Sequence, residues 1–218
     1  MHSFQRFQNK VVIITGASAG VGAETARAFA AQGAKLVLLA RGQQALTDMT
    51  NELKTITDVL NFSLDVCDTE GYKKILEAVE QHFGAIHILV NNAGYHKRGN
   101  VEKNDATELA KMVNVNLSAP IALSALTLPY IQKQQTGAIV NVGSLAGRTP
   151  LQGAATYAAT KAGLRAFTYS LADEVSQPNI HIGLVSPGPI DTGFIMSEIA
   201  QVEDIVFSQP MSSANQVA

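Results

Sequence analysis

Six short runs of valine, isoleucine and leucine, separated by segments of helical length, leave this chain few architectures to adopt. The runs at 11–14, 36–39, 59–64, 86–90, 138–142 and 180–185 have the length and β-branched content of strands buried on both faces. Amphipathic or alanine-rich segments lie between them at 21–32, 69–83, 106–132 and 156–176. Strand and helix in turn predict a doubly wound α/β fold, with a parallel sheet as the middle of three layers. Gly33 and Gly84 stand where two of the helices should stop in left-handed caps. With 218 residues, no repeat and no linker, one domain over 1–218 is expected, and the polar segment 209–218 reads as a disordered or truncated tail.

A net charge of −2 and a pI near 6.2 give no basic field for nucleic acid or an anionic membrane. The single Cys67 cannot close an internal disulfide, and the first residues contain no apolar stretch of signal-peptide length. The expectation is a soluble cytoplasmic protein without nucleic-acid or membrane partners. The five histidines and the cysteine show no ligand spacing, so no metal is expected.

Directly after the first strand comes Thr15-Gly16-Ala17-Ser18-Ala19-Gly20-Val21-Gly22, followed by a helical segment. Glycines there permit a tight turn and let backbone N–H groups approach a pyrophosphate, which the helix N-terminus also favours. An ordinary strand-to-helix turn can carry such glycines too, so position and neighbours decide. A chain that prefers NAD usually places an acid at the end of the second strand; here the residues are Ala40-Arg41. Arg41 could pair with a 2′-phosphate, with Ser18 adding a hydrogen bond, which favours NADP(H) over NAD(H); a solvated arginine is the alternative. Asp65, with Val66 beside it after the third strand, could accept from the adenine amino group or simply cap a turn.

Three more elements follow in order: Asn91-Asn92-Ala93-Gly94, Ser144, and Tyr157-Ala158-Ala159-Thr160-Lys161. With the first loop, Asn116 and Pro187-Gly188-Pro189-Ile190-Asp191-Thr192, the chain resembles the short-chain dehydrogenase/reductase family over about residues 10–192. Family members of this type usually continue with another helix and a seventh strand, which this sequence does not show. The expectation is therefore six strands and a homodimer through the helices at 106–132 and 156–176, whose apolar stripe could equally be core, with a tetramer doubtful without that edge.

The resemblance implies a Rossmann-type fold and hydride transfer between NADP(H) and a small-molecule carbonyl or alcohol. Residues four apart share a helix face, so Tyr157 and Lys161 should point into one cleft. A neighbouring ammonium lowers a phenol's pKa from its usual ~10, making Tyr157 the expected general acid or base. The family pattern has Lys161 also donating to the nicotinamide ribose, Ser144 orienting the substrate oxygen, and Asn116 holding a relay water. Asn92, Ala93 and Gly94 should line the adenine-ribose side, Thr192 and the Ile190 backbone should meet the nicotinamide carboxamide, and Pro187 and Gly188 should shape that turn. Pro120 has no N–H for the Asn116 carbonyl, which frees that carbonyl for a water or merely kinks the helix.

Substrate contacts are expected from loops 95–100, 145–152 and 194–206, where His96, Lys97 and Arg98 either meet an anion or form a solvated basic loop. No Gly-x-Ser-x-Gly setting accompanies Ser144, which argues against a serine nucleophile. Ser144 and Tyr157 could also be a loop serine and a packing tyrosine. The rival functions are a nucleotide sensor or scaffold without turnover, and an epimerase or dehydratase, for which 218 residues leave little substrate region.

Overall fold

The computed structural model describes residues 5–193 and 210–218. Strands β1 (Val11–Thr15), β2 (Lys35–Ala40), β3 (Val59–Ser63), β4 (Ile88–Asn91), β5 (Gly137–Val142) and β6 (Ile180–Val185) form one parallel sheet in the order β3-β2-β1-β4-β5-β6. Helices α1 (Gly20–Ala31), α2 (Gln43–Leu53), α3 (Thr69–Phe83) and α6 (Ala155–Glu174) connect successive strands. The chain runs outward from β1 to β3, then returns to place β4 on the other side of β1. That reversal opens a crevice at the carboxyl ends of β1 and β4.

Alternation along β1 divides the core. Val11 and Ile13 face a cluster with Leu76, Leu123 and Ile139, while Val12 and Ile14 face Ala26, Leu46 and Leu53 on the opposite side. All five residues of β1 are buried, which is why the run reads as continuously apolar. Asp68 caps α3 by accepting from the Gly71 N–H at 2.9 Å, and Gly84 ends the same helix in a left-handed conformation.

The stretch expected as one helix over 106–132 has three parts: α4 (Ala106–Val113), a π turn (Asn114–Ser118) and α5 (Ala119–Lys133). The Ala119 N–H returns to the Asn114 carbonyl, five residues back. Pro120 follows at once and has no N–H with which to restore the ordinary pattern. The run is long and apolar enough to cross a membrane, yet its Leu123 and Ile131 are buried in the core beside the sheet.

Of the segment 209–218, expected as a disordered or truncated tail, residues 212–217 form a short strand and a helix. Strand β8 (Ser212–Ser213) pairs in parallel with β7 (Ile190–Asp191), and the helix Ala214–Val217 packs against α1. Ser213 and Gln216 form a reciprocal capping box that starts this helix.

His87, just before β4, accepts from the Val11 N–H through Nδ1 at 3.1 Å. Burial, helped by the charge of Lys10, lowers its pKa to about 4. A free imidazole titrates near ~6.5, so between these values the unfolded chain takes up the proton and the folded one does not. Thermal stability should therefore fall as pH drops from about 6.5 towards about 4. Melting curves across that range check this: His87→Asn, which keeps an acceptor but cannot titrate there, should flatten the slope, and an equally steep slope would remove His87 as its source.

Candidate active site

Thr15 closes β1 and ties the two sides of the crevice together. Its buried hydroxyl accepts from the N–H groups of Asn92 and Ala93, each at 3.0 Å. The Asn92 side chain answers by donating to the Thr15 carbonyl at 2.9 Å and the Gly16 carbonyl at 3.3 Å. Asn92 thus shapes the loop through its side chain, in addition to lining the cleft. Gly16 has φ +65°, and a Cβ on Gly22 would stand 2.3 Å from the Gly16 carbonyl oxygen. Only glycine at position 22 lets α1 begin this close to β1. Ala19 gives α1 no side-chain cap, which leaves the first N–H groups to other acceptors.

A cleft of about 680 Å³ runs from this loop to the start of α6. Gly16, Ala19, Gly20 and Val21 line one end, with Asn92, Ala93 and Gly94 beside them. Pro187, Gly188, Ile190 and Thr192 form the opposing wall, and a Cβ on Gly20 would be 3.6 Å from the Thr192 methyl. Ser144, Tyr157 and Lys161 meet at the far end, together with Leu145 and Leu151.

Ser18, Gly22, Arg41, Asp65 and Val66 do not line this cleft among the described residues. Arg41 is exposed at the end of β2. Asp65 accepts from the Cys67 N–H at 3.0 Å, the turn-capping role. Asn116 is wholly buried behind the wall, where Oδ1 accepts from the Tyr95 N–H at 3.0 Å and Nδ2 donates to the Tyr95 carbonyl at 2.8 Å. Gly94 fits between Asn116 and Lys161: a Cβ there would be 3.1 Å from Asn116 Oδ1 and 3.7 Å from Lys161 Nζ.

The short-chain dehydrogenase family model matches residues 10–203, which span the phosphate-type loop, Ser144 and the Tyr157–Lys161 pair. This chain belongs to that family. The short-chain dehydrogenase is 35% identical to an uncharacterized oxidoreductase of Staphylococcus epidermidis, over 86% of this chain and 80% of the relative. It is also 35% identical to the 3-oxoacyl-[acyl-carrier-protein] reductase FabG of Escherichia coli, over 85% and 75%. Among solved structures it superimposes on levodione reductase with a TM-score of 0.90 and 29% identity, covering 97% of this chain and 88% of the other. A Burkholderia phymatum relative in complex with NAD gives a TM-score of 0.87 at 25% identity, covering 97% and 83%. The protein is an oxidoreductase with a six-stranded parallel sheet, and it shares the Rossmann-type fold of its solved relatives.

In this short-chain dehydrogenase, Ser144 accepts from the Ala146 N–H at 3.1 Å and hydrogen-bonds Tyr157. Lys161 Nζ donates to the Val142 carbonyl at 2.8 Å and lies 5.7 Å from the centre of the Tyr157 ring. The expectation that Lys161 lowers the Tyr157 pKa is not what this geometry gives. Burial pushes the phenol up, against the Ser144 hydrogen bond and the positive charge of Arg98, which pull it down. Burial also brings Lys161 down to about 8.

The loop expected from 95 to 100 divides its basic residues. Lys97 is exposed, Arg98 lines the cleft, and His96 is buried with its ring stacked on Tyr157 at 4.3 Å and 19°. Residues 194–206, expected as a further substrate loop, lie outside the described residues. Sequence reasoning names Thr15 only as the start of the glycine-rich loop and His96 only as part of a basic loop, and assigns neither the role it has in the site. Thr15 opens the glycine-rich motif and could have been found there, whereas nothing local marks His96 as buried.

Proposed function

We propose that this oxidoreductase interconverts a small-molecule carbonyl and alcohol with NADP(H). The observation that carries this reading is the meeting of Ser144, Tyr157 and Lys161 at one end of a cleft whose other end is the glycine loop after β1. The residues fit a dinucleotide: Gly16, Gly20 and Gly22 bring backbone close, the uncapped start of α1 offers N–H groups, and Gly94 leaves Lys161 open to the cleft wall. When bound, the nicotinamide supplies or accepts the hydride.

Ser144 orients the substrate oxygen beside the Tyr157 hydroxyl, and Tyr157 delivers the proton in reduction. The phenol carries a proton to donate, and the Ser144 hydrogen bond and the charge of Arg98 act against the upward push of burial. Lys161, held by the Val142 carbonyl, presents its remaining donors to the nucleotide ribose. Asn116 supports the relay by fixing the Tyr95 backbone and the π turn next to Pro120. Exposed Ile121 on α5 and Tyr169 on α6 are the apolar surface that a homodimer would cover. Absence of a basic field is consistent with a cytoplasmic enzyme acting on small molecules.

Arg41 carries the preference for a 2′-phosphate. In parallel titrations followed by nucleotide fluorescence, the wild type should bind NADPH more tightly than NADH. Arg41→Ala should weaken NADPH by roughly 10–100-fold, the value of a charge-assisted hydrogen bond, and leave NADH unchanged. Equal affinities in the wild type would reject NADP(H) as the preferred nucleotide. Binding without turnover of any carbonyl or alcohol would favour the sensor reading.

A further inference from the structure

We infer that His96 is a specificity-determining residue, whose Nε2 accepts a hydrogen bond from a hydroxyl on the carbon next to the reacting carbonyl and so selects α-hydroxy ketones. The inference rests on the carbonyl-reductase reading of Tyr157. His96 is nine-tenths buried, lines the cleft, and lies flat against the Tyr157 ring with 4.3 Å between centroids. Phenylalanine could supply such a stack equally well, so stacking alone does not call for an imidazole.

The nitrogens make the difference. Nε2 is buried and has no hydrogen-bond partner among the described residues. A buried polar atom without a partner is rare, and in the wall of a binding cleft it is a hydrogen bond held for the ligand. Burial and the charge of Arg98 keep the ring neutral, against the Gly153 carbonyl, which favours the protonated form. A neutral imidazole has one donor and one acceptor nitrogen; with Nδ1–H directed to the Gly153 carbonyl, Nε2 is the acceptor and meets a hydroxyl.

The position of the ring sets the spacing. His96 lies flat against the ring that meets the reacting oxygen, so the group it can reach is one close to the reacting carbon and not the far end of a long chain. The loop is held in place: the Gly99 N–H donates to the Gly153 carbonyl at 2.9 Å, joining it to the segment just before α6. Ser144 and Tyr157 then hold the reacting oxygen while His96 reads its neighbour.

The test compares cyclohexanone with 2-hydroxycyclohexanone at saturating nucleotide. His96→Phe keeps an aromatic ring against Tyr157 and removes the nitrogen. It should lower the ratio of kcat/KM for the hydroxy ketone to that for cyclohexanone by about tenfold or more, mainly through the KM of the hydroxy ketone, whatever it does to both rates together. His96→Gln, whose amide reaches the Nε2 position, should recover the preference for the hydroxy ketone even if it slows both substrates. Equal loss on both ketones in the Phe variant, or no loss on either, overturns the role of His96 alone. A wild type that binds nucleotide but reduces neither ketone overturns the carbonyl-reductase reading, and this inference with it.

Discussion

Tyr157→Phe should reduce kcat for carbonyl reduction by about 10²–10⁴-fold, the usual contribution of a positioned general acid, while nucleotide affinity stays within about twofold. The substitution removes one oxygen from a buried ring. The surroundings of that ring, Met112, Ala154, Leu151 and the stacked His96, do not depend on the hydroxyl. What disappears is the proton donor next to Ser144. Nucleotide binding relies on the glycine loop, the far wall and Lys161, none of which the change removes. Steady-state rates and a fluorescence titration of the same sample separate the two effects. A Phe variant retaining more than about a tenth of the wild-type kcat would place the acid elsewhere. A variant that also lost nucleotide affinity would show that the hydroxyl organises the cleft and does more than move a proton.

The parts of this site differ in how far a sequence can show them. The glycine loop, Ser144, Tyr157 and Lys161 are legible because each follows a recognisable strand or sits at helical spacing, and parallel pairing brings strand ends to one edge of the sheet. Helix α3 was readable to the residue, since Asp68 caps it and Gly84 stops it. Helix α2 is polar, and only Leu46, Met49, Thr50 and Leu53 at i, i+3, i+4 and i+7 betray it.

The π turn depends on long-range bonds. Asn116 clamps the Tyr95 backbone from a distance in sequence, and Asn91 reaches the Pro120 carbonyl at 3.4 Å. Proline at 120 hints at a break but cannot specify its register. The same limit hides His96, whose burial needs the loops around residues 96 and 153 to meet. The direction of the Tyr157 pKa was misjudged for a related reason. Spacing reveals that a lysine is near, but only the packed structure shows how much water the phenol has lost.

The second large effect is on stability. Asn141→Ala should cost about 2–4 kcal/mol, because it breaks a buried polar chain crossing the sheet and leaves its members short of partners. Asn91 Nδ2 donates to Asn141 Oδ1 at 2.9 Å and to Ser124 Oγ at 3.1 Å, and Asn141 Nδ2 donates to Thr168 Oγ1 at 2.8 Å. All four side chains are buried, so water does not replace a lost partner. For a domain of this size the cost corresponds to a fall in Tm of roughly 4–16 °C. Asn61→Ala on β3, where the side chain is only half-buried, is the comparison and should shift Tm far less. Similar shifts for the two would mean that the chain contributes little beyond ordinary packing. The network also bears on the chemistry. Asn91 immediately precedes Asn92 and Ala93, which Thr15 holds, and Asn141 immediately precedes Val142, whose carbonyl holds Lys161. Loosening the register of β4 against β5 should therefore raise the Kd for nucleotide even at temperatures where the variant is fully folded. An unchanged Kd in a folded but less stable variant would confine the network to stability and leave the Thr15 bonds as the sole determinant of the loop.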